Sequence, residues 1–227
     1  MLMLVVGVLG AYYTVRNFGA PRQQVSQERS ALVAMVQAKD ALLGFAAVNG
    51  RLPCPATAAT AGLESPLGGG ACTLPYTGYL PATTLGLSGV DANGFLLDEW
   101  AGRLRYVVTT ASANAATTTN GIQAVTTAVF GPAANLRVCT SATGITATTC
   151  GTATAITTNA VAVIFSSGSN VGVAGGVDEA ANLNADQVFV SHPRTESTAV
   201  NGEFDDLLTW LPPNLLFARM TQAGRLP

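Results

Sequence analysis

Met1 to Tyr13 reads MLMLVVGVLGAYY, an apolar run without a charge at the front of the chain. Any fold of this sequence has to place that run. It is too short for a full membrane span, which needs about 20 residues. Extended through Val15 and Phe18 it comes close, with Arg16 able to reach an interface. Gly19-Ala20-Pro21 then interrupts it: Pro21 lacks an N–H and crowds the preceding turn, and Gly19 adds backbone freedom. A kink or a short unwound stretch is expected there, with helix resuming afterwards. From Arg22 to Phe45, the residues Val25, Leu32, Met35, Val36, Leu42, Leu43 and Phe45 recur at three- and four-residue steps, a helical period. Gln24, Glu28, Lys39 and Asp40 fall largely on other faces. Asn49-Gly50, followed by Pro53, ends the helix.

A continuous helix of this length spans roughly 70 Å at about 1.5 Å per residue. The remaining head, of about 175 residues, has a radius of gyration of only ~16 Å. Residues 1–21 are therefore expected to project and residues 22–50 to pack on a head formed by residues 51–227. No positively charged region precedes the apolar run and no small-residue cleavage site follows it, so the run is expected to stay in the mature protein.

Beyond the helix, residues 51–94 carry Pro53, Pro55, Pro66, Pro75, Pro81 and Gly68-Gly69-Gly70, which rule out long regular elements. A short helical turn is expected around Ala82–Leu87. Arg103–Thr109 alternates and is β-branched, a strand signal. Gln123–Phe130, Leu136–Thr140, Ala160–Ser166 and Gln187–Ser191 are further strand candidates, suggesting an antiparallel meander. Ala111–Asn120 is low in complexity and reads as an exposed loop. Asp205-Asp206 lead through Leu207–Trp210 to Pro212-Pro213, which suit the first turn of a tail helix carrying Leu215, Leu216, Phe217 and Met220 and ending at Gly224. The expected class is α+β: a long N-terminal helix, kinked or partly unwound near Gly19–Pro21, packed on an antiparallel sheet.

The chain is 48% apolar and only 11% charged, with a net charge of −2. It has no basic field to hold a nucleic-acid backbone. The 4 cysteines fall in two local pairs, and the pairings Cys54–Cys72 and Cys139–Cys150 are favoured among the three connectivities. Zinc fits poorly, since there is no Cys-x-x-Cys and His192 is the only histidine. An enzyme is not expected. His192, between Ser191 and Pro193, reads as a loop histidine; there is no Gly-x-Ser-x-Gly elbow and no phosphate-binding Gly-Lys-Ser/Thr loop. Asp178, Glu179, Asp186, Asp205 and Asp206 gather in the last third, with Asn182 and Asn184 between them; the spacing Asp178, Asn182, Asn184, Asp186 is oxygen-rich but matches no EF-hand. They read as a solvated acidic loop, with Asp178 and Asp186 as the weak calcium candidates and no metal or cofactor assigned. Asp205-Asp206 are expected to cap the tail helix or pair with an arginine.

An apolar N-terminal segment, a Gly and Pro near its end and an amphipathic helix entering a β head together resemble the type IV pilins and type II secretion pseudopilins. Gln37-Ala38-Lys39-Asp40-Ala41-Leu42-Leu43-Gly44-Phe45-Ala46 followed by Gly50-Arg51-Leu52-Pro53-Cys54-Pro55 is similar to the helix-to-loop junction of a pilin-like family. Asp98-Glu99-Trp100-Ala101-Gly102 is similar to the Asp-x-Trp-Gly turn of pseudopilins, and Phe204-Asp205-Asp206 through Trp210 fits the same group. The stretch from Thr110 to Val173 carries no such motif. The resemblance implies a structural subunit of an extracellular pilus-like filament, with copies of itself as partners. It also implies transient residence in the inner membrane, passage through the periplasm and handling by a pilus or secretion assembly machinery. Filament-core residues would be Met1, Leu2, Leu4, Val5, Val6, Val8, Leu9, Tyr12, Tyr13 and Phe18, with Gly19 and Pro21 as the helix break. It further implies cleavage by a prepilin peptidase, with Met1 as the new terminus. The glutamate usual at the fifth mature position is absent: Val5 stands there, and no acid precedes Glu28. A minor pseudopilin and a membrane-anchored adhesion module that never polymerises are the alternatives.

Overall fold

The computed structural model describes the backbone of residues 2–226 and the side chains of residues 23–226. Helix α1, Leu2–Asn49, is a single element of 48 residues. Its backbone stays helical through Gly19-Ala20-Pro21, so the unwound stretch expected there is not formed. A mid-helix proline removes one donor, which leaves the rest of the hydrogen-bond ladder able to hold the helix together.

The helix enters the head along a seam of small and medium residues. Ala31, Met35, Ala38, Leu42 and Ala46 are each fully buried, and they recur at four, three, four and four residues. This narrows the apolar stripe read from the sequence: Val25, Leu32 and Val36 stay exposed, while Leu43, on the same side of the helix as Val25, is buried farther along against the head. The alanines let the sheet approach closely, and the three exposed aliphatics are left outside.

Among the described residues, seven α-helices and six strands run in the order α1, α2 (Ala82–Leu85), β1 (Arg105–Val108), α3 (Ala111–Asn114), α4 (Gly121–Val125), α5 (Thr127–Ala133), β2 (Leu136–Cys139), β3 (Ala155–Ala160), β4 (Ala162–Ser166), α6 (Val177–Leu183), β5 (Val188–Val190), β6 (Leu207–Leu211) and α7 (Pro213–Gln222). One sheet has the order β1-β4-β6, antiparallel throughout. The second has the order β3-β2-β5, and its β2–β5 pair is parallel. A simple meander is therefore excluded.

The two sheets and the helices make three layers. Strand β4 is buried along its whole length, and its side chains alternate between the two sides as a strand requires. Ala162 and Ile164 join the core under α1 and α7, with Tyr106, Val108, Leu216 and Met220. Val163 and Phe165 face the second sheet, with Leu136, Val138 and Phe189.

Two local expectations fail for identifiable reasons, and two strands form where none is expected. Gln123–Phe130 is not a strand but lies in α4 and α5, which meet at Thr126 with φ 69°. Ile122 and Phe130 are buried there without the alternation that a strand would impose. Ala111–Asn120 is not simply exposed: Ala115, Ala116 and Thr117 are buried, and Ala116 O accepts from Leu52 N–H at 2.7 Å. Strands β3 and β6 both lie at sheet edges. Their mixed Thr/Asn and Leu/Trp sequences lack a clean period-2 pattern, so neither was legible as a strand.

The helix-to-loop junction is fixed covalently and electrostatically. The disulfides Cys54–Cys72 and Cys139–Cys150 both form. Arg51 grips Glu64 with two hydrogen bonds of 2.7 Å, and both residues are buried. Burial would raise the Glu64 carboxyl, but the Arg51 guanidinium and the N–H groups of Cys54 and Gly68 outweigh it and hold the group below its ordinary value. At the other end of the chain, Gly224 (φ 69°) closes α7 with two bonds, Gly224 N–H to Thr221 O and Arg225 N–H to Met220 O. This is a Schellman arrangement.

Candidate functional site

Two regions carry features that packing alone does not require. The first is α1. The implied filament-core residues Met1, Leu2, Leu4, Val5, Val6, Val8, Leu9, Tyr12, Tyr13 and Phe18 lie outside the residues whose side chains are described. Within the described part, the outer face of α1 carries Val25, Leu32, Val33 and Val36, at 45–56% exposure. Four such side chains on one side of a single helix form an apolar stripe with no partner among the described residues. Residues Gln23–Asn49 are also long and apolar enough to cross a membrane by composition, with a mean hydropathy of 1.6 in the most apolar window. Their inner seam is nonetheless part of the head core.

Polar contacts hold the start of the packed segment. Ser30 Oγ donates to Glu99 at 2.6 Å. Glu99 belongs to the turn Asp98–Gly102, which is built around a buried carboxylate. Asp98 Oδ1 accepts from Trp100 N–H at 3.0 Å and Gly102 N–H at 2.7 Å, while Oδ2 accepts from Ser166 Oγ at 2.5 Å. The Asp-x-Trp turn thus positions the helix against β4.

The second region gathers the acids of the last third. A solvated acidic loop was expected; instead Asp178, Glu179, Asp205 and Asp206 are all buried. The reason is that α6 turns Asp178 and Glu179 inward against the segment entering β6, which carries Asp205 and Asp206, and hydrogen-bond donors meet them there. Asp178 accepts from Ala142 N–H at 2.5 Å and from Asn201 Nδ2 at 3.1 Å, and it pairs with His192 Nε2 at 3.0 Å. His192 stacks on Phe204 with ring centroids 3.9 Å apart. It lies on a loop, as expected, and is packed there between Asp178 and Phe204. Asp186 sits apart from these acids in hydrogen-bonding terms, accepting from Val188 N–H at 2.8 Å. Asp178 and Asp186, the candidates from the sequence, are therefore not brought together as one ligand set.

Glu179, Asp205 and Asp206 are brought together: one carboxylate oxygen from each lies within 4.8 Å of the others. Asp205 and Asp206 do not cap α7. Asp205 accepts from Ser169 N–H and Oγ, and the guanidinium of Arg194 lies 3.8 Å away. Asp206 accepts from Asn182 Nδ2 at 2.8 Å. Burial pushes the Asp206 carboxyl up to about 8; the Asn182 bond opposes this, and the neighbouring Glu179 and Asp205 charges add to it. The sequence had singled out all these acids. Its spacing rules did not reveal which three converge, because that depends on how α6 packs beside β6.

Neither a protein-family model, a curated protein nor a solved structure matches the chain. The functional reading therefore rests on the residues and their geometry. An N-terminal apolar helix and two disulfides are compatible with a secreted or membrane-anchored protein.

Proposed function

We propose that the chain is the structural subunit of a pilus-like extracellular filament, assembled by bundling α1 of many copies with the β head outward. The observation that supports this reading is the division of α1. Its seam Ala31–Ala46 is consumed by the head, while Val25, Leu32, Val33 and Val36 stay exposed on the helix that also carries the uncharged run Met1–Tyr13. Fully burying each large aliphatic side chain is worth roughly 1.5–3 kcal/mol. A bundle that covers Leu2, Leu4, Val5, Val6, Val8 and Leu9 gains a large gross driving force, offset by the cost of association. The resemblance in the helix-to-loop junction and the Asp-x-Trp turn points the same way.

Leu4→Asp with Leu9→Asp is expected to abolish fibres in sheared surface preparations while the head still folds. Negative-stain microscopy and circular dichroism check the two halves of that outcome, and intact fibres from the double variant would sink the reading. Wild-type cells that carry the protein on their surface but shed no fibres would instead favour a membrane-anchored adhesion module.

A further inference from the structure

The hydrogen-bond accounting around Glu179, Asp205 and Asp206 does not close. Glu179 is satisfied on both oxygens: Oε1 accepts from Asp205 N–H at 2.8 Å, and Oε2 accepts from Asn170 Nδ2 and Gly175 N–H at 2.6 Å each. Asp205 and Asp206 are satisfied on Oδ2 alone. Asp205 Oδ1 and Asp206 Oδ1 are buried with no hydrogen-bond partner, in residues that are each 5% exposed. They are the only such side-chain atoms among the described residues. A buried carboxylate oxygen without a partner costs several kcal/mol, and here two stand on adjacent residues.

The surroundings supply little of the missing charge: Arg105 acts on Asp206, but as the smallest of the influences on that carboxyl. Arg194 lies 3.8 Å from Asp205 Oδ2, not from either open oxygen, and it is shared with Glu196 and Glu203. The remaining donors, from Asn170, Asn182, Ser169 and Gly175, are neutral and sit on the other oxygens. Gly168, at φ 61°, keeps the space beside Asp205 Oδ1 clear: a Cβ there would stand 1.9 Å from that oxygen.

We propose that Glu179, Asp205 and Asp206 hold one hard divalent cation of the calcium class, with Asp205 Oδ1 and Asp206 Oδ1 as its primary ligands. The donor set is all oxygen. The cysteines are committed to disulfides and the histidine to Asp178, so a soft or borderline metal has no ligand to select it. Calcium takes 6–8 oxygens at about 2.3–2.6 Å in irregular arrangements, so opposite ligands stand about 5 Å apart. Three oxygens within 4.8 Å of one another fit inside such a shell. Magnesium demands a near-ideal octahedron at about 2.1 Å, which carboxylates already held by hydrogen bonds on their other oxygens are poorly placed to provide. The bound ion joins α6, the turn Gly168–Asn170 and the entry to β6. It does so whether or not the protein forms filaments.

The test uses the full-length chain in detergent, stripped with chelator. Calcium retention is measured by equilibrium dialysis with elemental analysis, and thermal unfolding by circular dichroism, with about 1 mM calcium or magnesium. Wild type is expected to retain one calcium per chain and to unfold at a higher temperature with calcium than with chelator, magnesium doing less. Asp206→Asn is expected to weaken calcium binding about tenfold or more, since ligand charge sets affinity, while Asp186→Asn keeps the wild-type value. Folded wild type that retains no calcium and unfolds at the same temperature in calcium and chelator overturns the proposal. So does an Asp206→Asn chain that binds calcium as tightly as wild type. Asp206→Asn raising the unfolding temperature of a chain on which calcium has no effect would show that the cluster is neutralised by a proton, and would equally overturn it.

Discussion

Arg51 and Glu64 sit where the long helix gives way to the disulfide loop, at 7% and 5% exposure. Water cannot rescue either charge if its partner is lost. Glu64→Gln is therefore expected to lower stability by about 3–5 kcal/mol, read by urea unfolding. Replacing both residues with apolar side chains of similar size should fall much closer to wild type; a double variant as weak as the single one would refute this account. Asp206 gives a pH dependence of the opposite kind from the usual acid. Its carboxyl is raised from 3.8 to about 8 in the folded chain. Between those values the folded chain holds a proton that the unfolded chain gives up, so stability falls as pH rises from about 4 to about 8. The prediction applies in chelator and is read as the difference between wild type and Asp206→Asn across that range. A difference that does not change with pH would contradict it. Glu64, held below its ordinary value, has the reverse sign: its contribution is lost only as pH falls through that lowered value.

Among the elements, those written in local chemistry were legible. The long helix, the turn at Ala82, strands β1, β2, β4 and β5, both disulfides and the tail helix all follow from periodicity, proline placement or cysteine spacing. What the sequence left hidden was decided by neighbours. β6 is a strand because β4 offers it five paired positions from Ala162–Leu211 to Ser166–Leu207. α4 and α5 are helices despite their β-branched residues because Ile122 and Phe130 reach the core under α1. The acid triad was visible as residues and invisible as a cluster, since Glu179 and Asp205 are 26 apart in the chain. Tail-helix termination isolates a single local term. Gly224 has φ 69° and open space around it, so Gly224→Ala introduces backbone strain without a clash. A loss of about 1 kcal/mol is expected, measured by denaturant midpoint. A loss of several kcal/mol would mean that the glycine does more than end α7.

For the whole molecule, α1 separates two kinds of burial. Leu32 and Val36 are 45% and 56% exposed in the isolated chain, so Leu32→Asp with Val36→Asp should leave head stability nearly unchanged, within about 0.5 kcal/mol per site. The same pair should sharply reduce fibre yield if the outer stripe packs between copies. Ala38→Asp, on the fully buried seam, should unfold the head instead. Microscopy and thermal unfolding together distinguish the two faces, and normal fibre yield from the first variant would remove the stripe from the assembly. The seam has a further consequence, in the order of synthesis. Arg225 donates to the carbonyls of Ala47 and Val48, the latter 177 residues earlier, and α7 and β6 pack along α1. A ribosome adding roughly 5–20 residues per second needs roughly 10–35 s to travel that distance. Over that interval α2 and β4 become available to α1 part-way, but β6 and α7, which complete the cover over Met35, Leu42 and Leu43, come last. The nascent helix therefore needs a temporary host for its apolar surface, a bilayer or a chaperone, and it is the last turn of the chain that releases it.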